Sequence, residues 1–173
     1  MTSTSQSTVS AQSASVMAGA SPSQAGTSEA GALSALLEKK REDVRLFALL
    51  DTLEYLKRGG RISAATALFG TMLAIKPVMH VDNEGRLIPV SKARGRKASL
   101  TALVDRMAAT AIDPENQTVF ISHGDCLTDA EFVAEEVRRR LGVKTVRINY
   151  VGPVIGNHSG PGTMALFFLG KER

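Results

Sequence analysis

The chain has 173 residues, of which 43% are hydrophobic and 22% are charged, and this is the ordinary composition of a soluble globular protein with one sizeable core. Lys and Arg exceed Asp and Glu by 21 to 17, but only 5% of the residues are aromatic and none is tryptophan. A stacking surface for single-stranded nucleic acid is therefore poorly supplied, and we expect no nucleic-acid partner. We also expect a cytoplasmic protein with no transmembrane segment, because no apolar run could cross a bilayer and the head lacks the pattern of a signal peptide.

The sequence offers little for a disulfide or a metal. Cys126 is the single cysteine, which excludes an internal disulfide, and we interpret it as a small half-buried residue at a helix start rather than a nucleophile. The three histidines stand in scattered contexts without the spacing of a metal site. The sequence therefore predicts no metal and no cofactor.

The composition changes near residue 33. Residues 1–32 are mostly Ser, Thr, Ala, Gln and Gly, which cannot bury enough apolar surface to offset the entropy of ordering, so we expect a disordered head followed by one folded domain over 33–173. Leucines near helical spacing from Leu33 towards Val44 predict an amphipathic helix. The apolar run at 45–50 is consistent with a buried strand, although its length leaves a helix open.

A short helix and a second, apolar helix are predicted next, with a glycine pair between them. Asp51 or Thr52 is suited to begin the first helix, and the glycine pair is suited to end it. Arg61 follows on a tight turn, where its guanidinium could present a fork to a carboxylate or phosphate, or could pair with a nearby acid or helix carbonyls. Ser63 then caps an apolar helix that must be buried nearly all round or face a lipid-like ligand.

Alternating side chains on both sides of residues 82–85 predict a β-hairpin. His80 on its first arm is interpreted as a satisfied strand residue. A cluster of cations precedes the next predicted helix, namely Lys92, Arg94, Arg96 and Lys97. The simplest interpretation of this cluster is a solvated helix entrance, and the alternative is a surface that attracts a phosphate or an acidic protein.

The strand QTVFISHG, the amphipathic helix TDAEFVAEEVRRRLG and the strand TVRINYV follow one another with short links. This order is typical of a right-handed crossover between parallel strands and predicts an α/β fold with a sheet flanked by helices. Ligands favour the carboxyl ends of such strands. Ser122 and His123 lie at one such end, and we expect them near the segment that follows the next strand.

That segment is GNHSGPG, residues 156–162, between the strand-like runs NYVGPVI and TMALFFL. We predict a tight glycine turn that sets His158 and Ser159 at a strand edge beside free backbone N–H groups, suited to an anionic or carbonyl oxygen. A hairpin or bulge whose histidine is merely hydrogen-bonded is the alternative.

Several motifs together resemble the second domain of the DegV family. They are DTLEYLKRGGRIS, the apolar helix leading into IKPVMHVDNEGRL, then KARGRKA, ISHGD and finally VGPVIGNHSGPGTMALFF. The resemblance runs from about Leu33 to Phe168, and the combination of LEYLKRGGRIS with IGNHSGPG in this order makes it specific. It implies a mixed sheet flanked by helices, as in the carboxyl-terminal domain of that fold.

The resemblance also implies a function. Members of the family are fatty-acid-binding subunits that hold an acyl chain in a tunnel and present its carboxylate to a separate kinase, which forms the acyl phosphate. It assigns carboxylate binding to His158 and Ser159, the latter standing where the family usually has threonine, and it places Arg61 near the head group. The chain itself would be a non-enzymatic lipid carrier with a long-chain fatty acid as ligand.

The acyl-chain lining implied by the resemblance is Leu68, Phe69, Met72, Leu73, Ile75 and Met79, although the same residues suit any α/β core. The motifs of the family's first domain are absent from residues 1–32, which leaves a truncated, non-binding relative as one alternative. Another is a small-molecule enzyme in which His158 is the acid/base and Arg61 clamps an anion.

Overall fold

A computed structural model describes residues 27–60 and 75–171, with side chains from residue 30 onward. Arg61, Ser63 and the predicted lining residues Leu68, Phe69, Met72 and Leu73 lie outside these ranges, as does most of the predicted head.

The described residues form five helices, a 3₁₀ turn at Pro114–Asn116 and six strands. The helices are α1 (Thr27–Arg41), α2 (Glu54–Arg58), α3 (Arg96–Thr110), α4 (Leu127–Leu141) and α5 (Pro153–Ser159). The strands are β1 (Val44–Leu49), β2 (Ile75–Val81), β3 (Leu87–Arg94), β4 (Thr118–His123), β5 (Thr145–Tyr150) and β6 (Met164–Leu169).

The strands form one mixed sheet in the order β3-β2-β1-β6-β4-β5. Strands β4 and β5 are parallel and joined by α4, and the other neighbouring pairs are antiparallel. The predicted crossover and hairpin are therefore confirmed. The run at 45–50 is a strand rather than a helix, because β1 pairs with β2 on one side and with all six residues of β6 on the other.

Helices α3 and α4 cover one face of this sheet and form the main core with it. The members of this core are less than 9% exposed and include Phe47, Leu49, Leu103, Val104, Met107, Val133, Val137, Leu166 and Phe168. A smaller cluster, which joins Leu50, Leu56 and Met79, lies where α2 packs. Leu49 and Leu50 belong to different clusters because successive side chains of an extended segment point to opposite faces.

Two elements differ from the sequence prediction. Helix α1 begins at Thr27, six residues before Leu33. The segment after β5 is not a strand ending in a turn: residues 153–159 form α5, and the glycine turn begins only at Gly160. Pro153 explains this, since it stands at the first helical position, where its missing N–H costs nothing and its ring presets the helical φ.

Helix α4 ends as predicted at Gly142, which is left-handed with a φ of 67°. Within the described part of the chain, no helix has the length and apolar character that crossing a membrane requires.

Candidate functional site

The candidate site lies where β1 ends, α2 follows it, and α5 leads into β6. Helices α2 and α5 contact each other, and a half-open cleft of about 280 Å³ lies between them, lined by Tyr55, Arg58, Gly59, Asn157 and His158. This volume suits a polar head group better than a whole long ligand, since drug-sized ligand pockets start at about 300 Å³. The cleft collects an imidazole, a guanidinium, an amide and a phenol in one place.

His158 stands in the last turn of α5, and its ring lies against the end of α2. The contact is so close that a Cβ added to Gly59 would overlap Nδ1 of His158. Residue 59 must therefore be a glycine for the imidazole to take this position. Because Gly59 and Gly60 directly precede Arg61, the structure brings the two motifs of the sequence resemblance to one place, although Arg61 itself lies outside the described residues.

Arg58 is a cation at this cleft that the sequence analysis did not single out. Its side chain is 73% exposed, lies 3.7 Å from the Glu54 carboxylate and has its guanidinium carbon 5.9 Å from the centre of the Tyr55 ring. Asn157 was missed as well. The signal available for both was their place inside the quoted motifs, where Arg58 directly precedes the glycine pair and Asn157 directly precedes His158.

Ser159 takes a different orientation from its neighbour. It is 5% exposed, and its hydroxyl donates to the carbonyl of Ile155 at 2.9 Å, one helical turn earlier. The predicted strand edge with free N–H groups is therefore replaced by a helix end. In this arrangement the hydroxyl proton of Ser159 is already in use, and a contact with a carboxylate requires the hydroxyl to turn.

The Gly160–Thr163 turn that follows is held from several sides. The Gly124 N–H donates to the Thr163 carbonyl at 2.8 Å, and the Gly162 N–H donates to the Gly124 carbonyl at 2.6 Å. The Thr163 hydroxyl donates to the Gly160 carbonyl at 2.7 Å. The expectation that the ISHGD strand end lies near GNHSGPG is thus confirmed.

Both glycines of this turn are needed for their conformation and their space. Gly160 and Gly162 have φ of 78° and 76°, which side chains rarely adopt. A Cβ on Gly160 would overlap the Tyr55 ring, and a Cβ on Gly162 would lie 2.8 Å from Cβ of Asp51. The turn is therefore wedged between Gly124 on one side and the Asp51–Tyr55 segment on the other.

His123 is the last residue of β4 and is buried in the fold. It is 1% exposed, and its Nδ1 accepts the N–H of Cys126 at 3.2 Å at the start of α4. Its ring lies 4.5 Å from that of Tyr150 on β5. A histidine that accepts at Nδ1 carries its proton on Nε2, and this histidine does not line the cleft.

Cys126 matches its sequence interpretation, since it is half-buried and directly precedes α4. Burial raises the pKa of its thiol, and the neighbouring Arg96 offsets only part of this effect. The thiol donates to the Thr163 carbonyl at 3.3 Å. It is therefore a packed residue beneath the turn and a poor nucleophile. Among the described residues, no group of three His, Cys, Asp or Glu side chains is arranged to hold a metal ion.

The remaining predicted residues lie on β2 and β3. Ile75 is half-buried at the start of β2, and Met79 is 1% exposed within the small cluster beside α2. His80 stacks on Phe47 at 5.9 Å, in agreement with a satisfied strand residue. The cation cluster is split: Lys92 and Arg94 are exposed on β3, whereas Arg96 turns inward to the Asp129 carboxylate at 2.8 Å.

Comparison with known proteins agrees with this fold. The family described as uncharacterised protein, DegV family, matches residues 3–171. The chain belongs to the DegV family. A DegV domain-containing protein of Clostridium perfringens is 44% identical over 137 residues, which are 79% of this chain and 47% of that protein.

Solved structures of DegV proteins share the fold. One is reported as fatty acid binding of a DegV family protein from Thermus thermophilus and is 32% identical with a TM-score of 0.72. The matched region covers 82% of this chain and 50% of that chain. Another is the Fatty Acid Kinase (Fak) B3 protein of Streptococcus pneumoniae loaded with linoleic acid, which is 17% identical with a TM-score of 0.74. The matched region covers 80% of this chain and 49% of that chain. The chain spans about half the length of the relatives it matches.

Proposed function

We propose that this DegV protein binds a long-chain fatty acid and presents its carboxylate to a partner kinase for acyl-phosphate formation. The observation that carries the proposal is the joint presence of the His158 imidazole and the Arg58 guanidinium on one cleft of head-group size. The Thermus thermophilus relative, which is 32% identical, supports a fatty acid as the ligand.

The carboxylate is proposed to lie in this cleft. The imidazole of His158 donates a hydrogen bond to it, and Arg58 adds a positive charge at the exposed rim. Hydrogen bonds to charged groups stabilise by about 1.5–3 kcal/mol each. Arg61 is proposed as a second cation because it follows the glycine pair that borders the cleft, and Ser159 contributes when its hydroxyl turns away from Ile155.

The acyl chain is proposed to run along the face of the sheet that α2 partly covers, on which Met79 is buried. The lining predicted from the sequence at Leu68, Phe69, Met72 and Leu73 lies outside the described residues, and it is proposed to contact the acyl chain together with Ile75, which is half-buried at the start of β2. Burial of each methylene is worth about 0.8 kcal/mol. We therefore assign lipid binding to the domain at 33–173.

The kinase step is proposed to take place on a separate protein, which binds ATP and transfers the phosphoryl group, so this chain needs no cofactor. The name of the Streptococcus pneumoniae fold neighbour is one reason to expect such a partner. The exposed cations Lys92 and Arg94 on the edge strand β3 offer it a basic surface, and charge complementarity of this kind speeds association.

The test is mass spectrometry of the organic extract of freshly purified protein. We expect near-stoichiometric fatty acid from the wild type and a reduced amount from His158→Ala, with an unchanged far-ultraviolet circular dichroism spectrum. Val154→Ala is the matched control, because Val154 lies on the same helix, is 67% exposed and does not line the cleft. Equal lipid content in the two variants would refute the role of His158. Turnover of an acyl or phosphoryl ester by the protein alone would refute the carrier function.

A further inference from the structure

Two arginine–aspartate ion pairs join α3 to α4 at opposite ends of these helices. At one end Nε of Arg96 donates to Asp129 at 2.8 Å, and at the other Nη2 of Arg140 donates to Asp105 at 2.6 Å. The two arginine side chains are similarly enclosed, with 25% and 28% of their surface exposed. They differ in what lies beyond the pair.

Beyond Arg96 lies Asp51, two residues after the end of β1. Nη1 of Arg96 is 3.7 Å from Oδ1 of Asp51, and Nζ of Lys76 is 2.7 Å from the same oxygen. Asp51 in turn lies directly against the glycine turn, since a Cβ on Gly162 would be 2.8 Å from Cβ of Asp51 and 3.8 Å from Nη1 of Arg96. The ion pairs therefore continue from α4 through α3 to the turn.

A second path leads from Arg96 to the same turn. Arg96 lies beside Cys126, whose thiol donates to the carbonyl of Thr163 at 3.3 Å. Nη1 and Nη2 of Arg96 are buried and make no hydrogen bond to a described residue. Because these nitrogens are removed from water, their attraction to the flanking carboxylates is screened less than at a surface pair.

The turn is directly connected to the imidazole of His158. Helix α5 ends at Ser159, and Gly160 packs on the Tyr55 ring one turn of α2 away from Gly59, which His158 contacts. A displacement of residues 160–163 relative to Asp51 therefore moves the end of α5 against α2. The position of His158 in the cleft depends on where this turn is held.

We propose that Arg96 is a positioning residue: the chain Asp129–Arg96–Asp51 holds the Gly160–Thr163 turn and thereby sets the His158 ring in the cleft. The effect on ligand affinity rests on the proposed function, whereas the effect on the ring does not. Arg96 itself touches neither the cleft nor the proposed ligand.

The test compares Arg96→Gln with Arg140→Gln, each of which removes one α3–α4 ion pair. The first measurement is the nuclear Overhauser effect between the ring Hε1 of His158 and the Hα protons of Gly59 in the lipid-free chain of 173 residues. The second is the affinity for oleate by titration calorimetry. We expect Arg96→Gln to lose the Overhauser effect and to bind oleate roughly 3- to 30-fold more weakly, the range for residues that act through packed networks. Arg140→Gln retains both.

An Overhauser effect of wild-type intensity in Arg96→Gln overturns the proposal, and so does an equal loss in Arg140→Gln, because the effect would then report general loosening. If Arg96→Gln does not fold, Asp51→Asn takes its place, since it removes the carboxylate charge that pairs with Arg96 and Lys76 and leaves the Arg96–Asp129 pair in place. Loss of the Overhauser effect together with unchanged oleate affinity supports the positioning role and contradicts the proposed function, so the two failures are distinguishable.

Discussion

The adjacent glycines 59 and 60 allow the position of His158 to be tested separately from the stability of the fold. Gly59 has a φ of −77° and a ψ of −3°, which alanine adopts without strain, but its added Cβ would overlap Nδ1 of His158. Gly60 has a φ of 67°, and a Cβ there would meet no atom of the described residues within 4 Å. Gly59→Ala is therefore expected to displace the imidazole, and Gly60→Ala is expected to strain only the backbone.

The two variants should affect different properties: Gly59→Ala should weaken binding, and Gly60→Ala should lower stability. For Gly59→Ala we expect a free energy of unfolding within about 1 kcal/mol of wild type. The loss of one hydrogen bond to a charged head group, worth about 1.5–3 kcal/mol, lowers oleate affinity about 10- to 150-fold. For Gly60→Ala we expect a loss of about 1–2 kcal/mol of stability, the cost of a left-handed non-glycine residue, with oleate affinity unchanged.

Titration calorimetry with oleate and urea denaturation measure these two quantities. The reasoning is refuted if Gly59→Ala binds oleate with wild-type affinity, because the imidazole would then not hold the head group. It is also refuted if Gly60→Ala weakens binding as much as Gly59→Ala does, because the shared backbone rather than the His158 contact would then be responsible.

Two further predictions concern pKa values. Burial raises the pKa of the Cys126 thiol, which lowers its thiolate fraction. Alkylation by iodoacetamide at about pH 7.5 should therefore be slower than for free cysteine. Intact-mass spectrometry measures the rate, and a rate equal to that of free cysteine would contradict the prediction. Burial by itself raises the pKa of Asp82, but hydrogen bonds from Arg86 outweigh it and the pKa lies below its usual 3.8. A carboxyl group whose pKa is lowered by folding stabilises the fold above pH 3.8, and this contribution is lost as the pH falls through the pKa of the folded state. Asp82→Asn should therefore lower the free energy of unfolding at neutral pH. Urea denaturation at decreasing pH should show the difference from wild type becoming smaller, and a constant difference would contradict the prediction.

The elements that the sequence predicted well are those whose local signals agree with one another. Helix α4 combines an apolar stripe with a glycine just after its last residue, and it joins two strands that pair in parallel as expected. The 45–50 run was ambiguous because a short apolar segment suits a strand and a buried helix alike. Its pairing with β2 and β6 decided the matter, and those partners are distant in the chain.

The site shows the same division between local and distant information. The motifs around His158 and the glycine pair could be singled out from the sequence, but the helical setting of His158 was not predicted because Pro153 was not interpreted as a helix start. Arg58 and Asn157 lie inside the quoted motifs LEYLKRGGRIS and IGNHSGPG, but neither was assigned a role from them. Their role at the cleft follows from the packing of α2 against α5.

The sequence by itself determined the family, the α/β class, the crossover, the hairpin and the two motifs that meet at the site, because each depends on residue types at short spacing. Only the tertiary structure decided that Gly59 lies against His158 and that Arg96 turns inward to Asp129. These are contacts between segments far apart in the chain, and their geometry is set by the order of strands in the sheet, which no local pattern encodes.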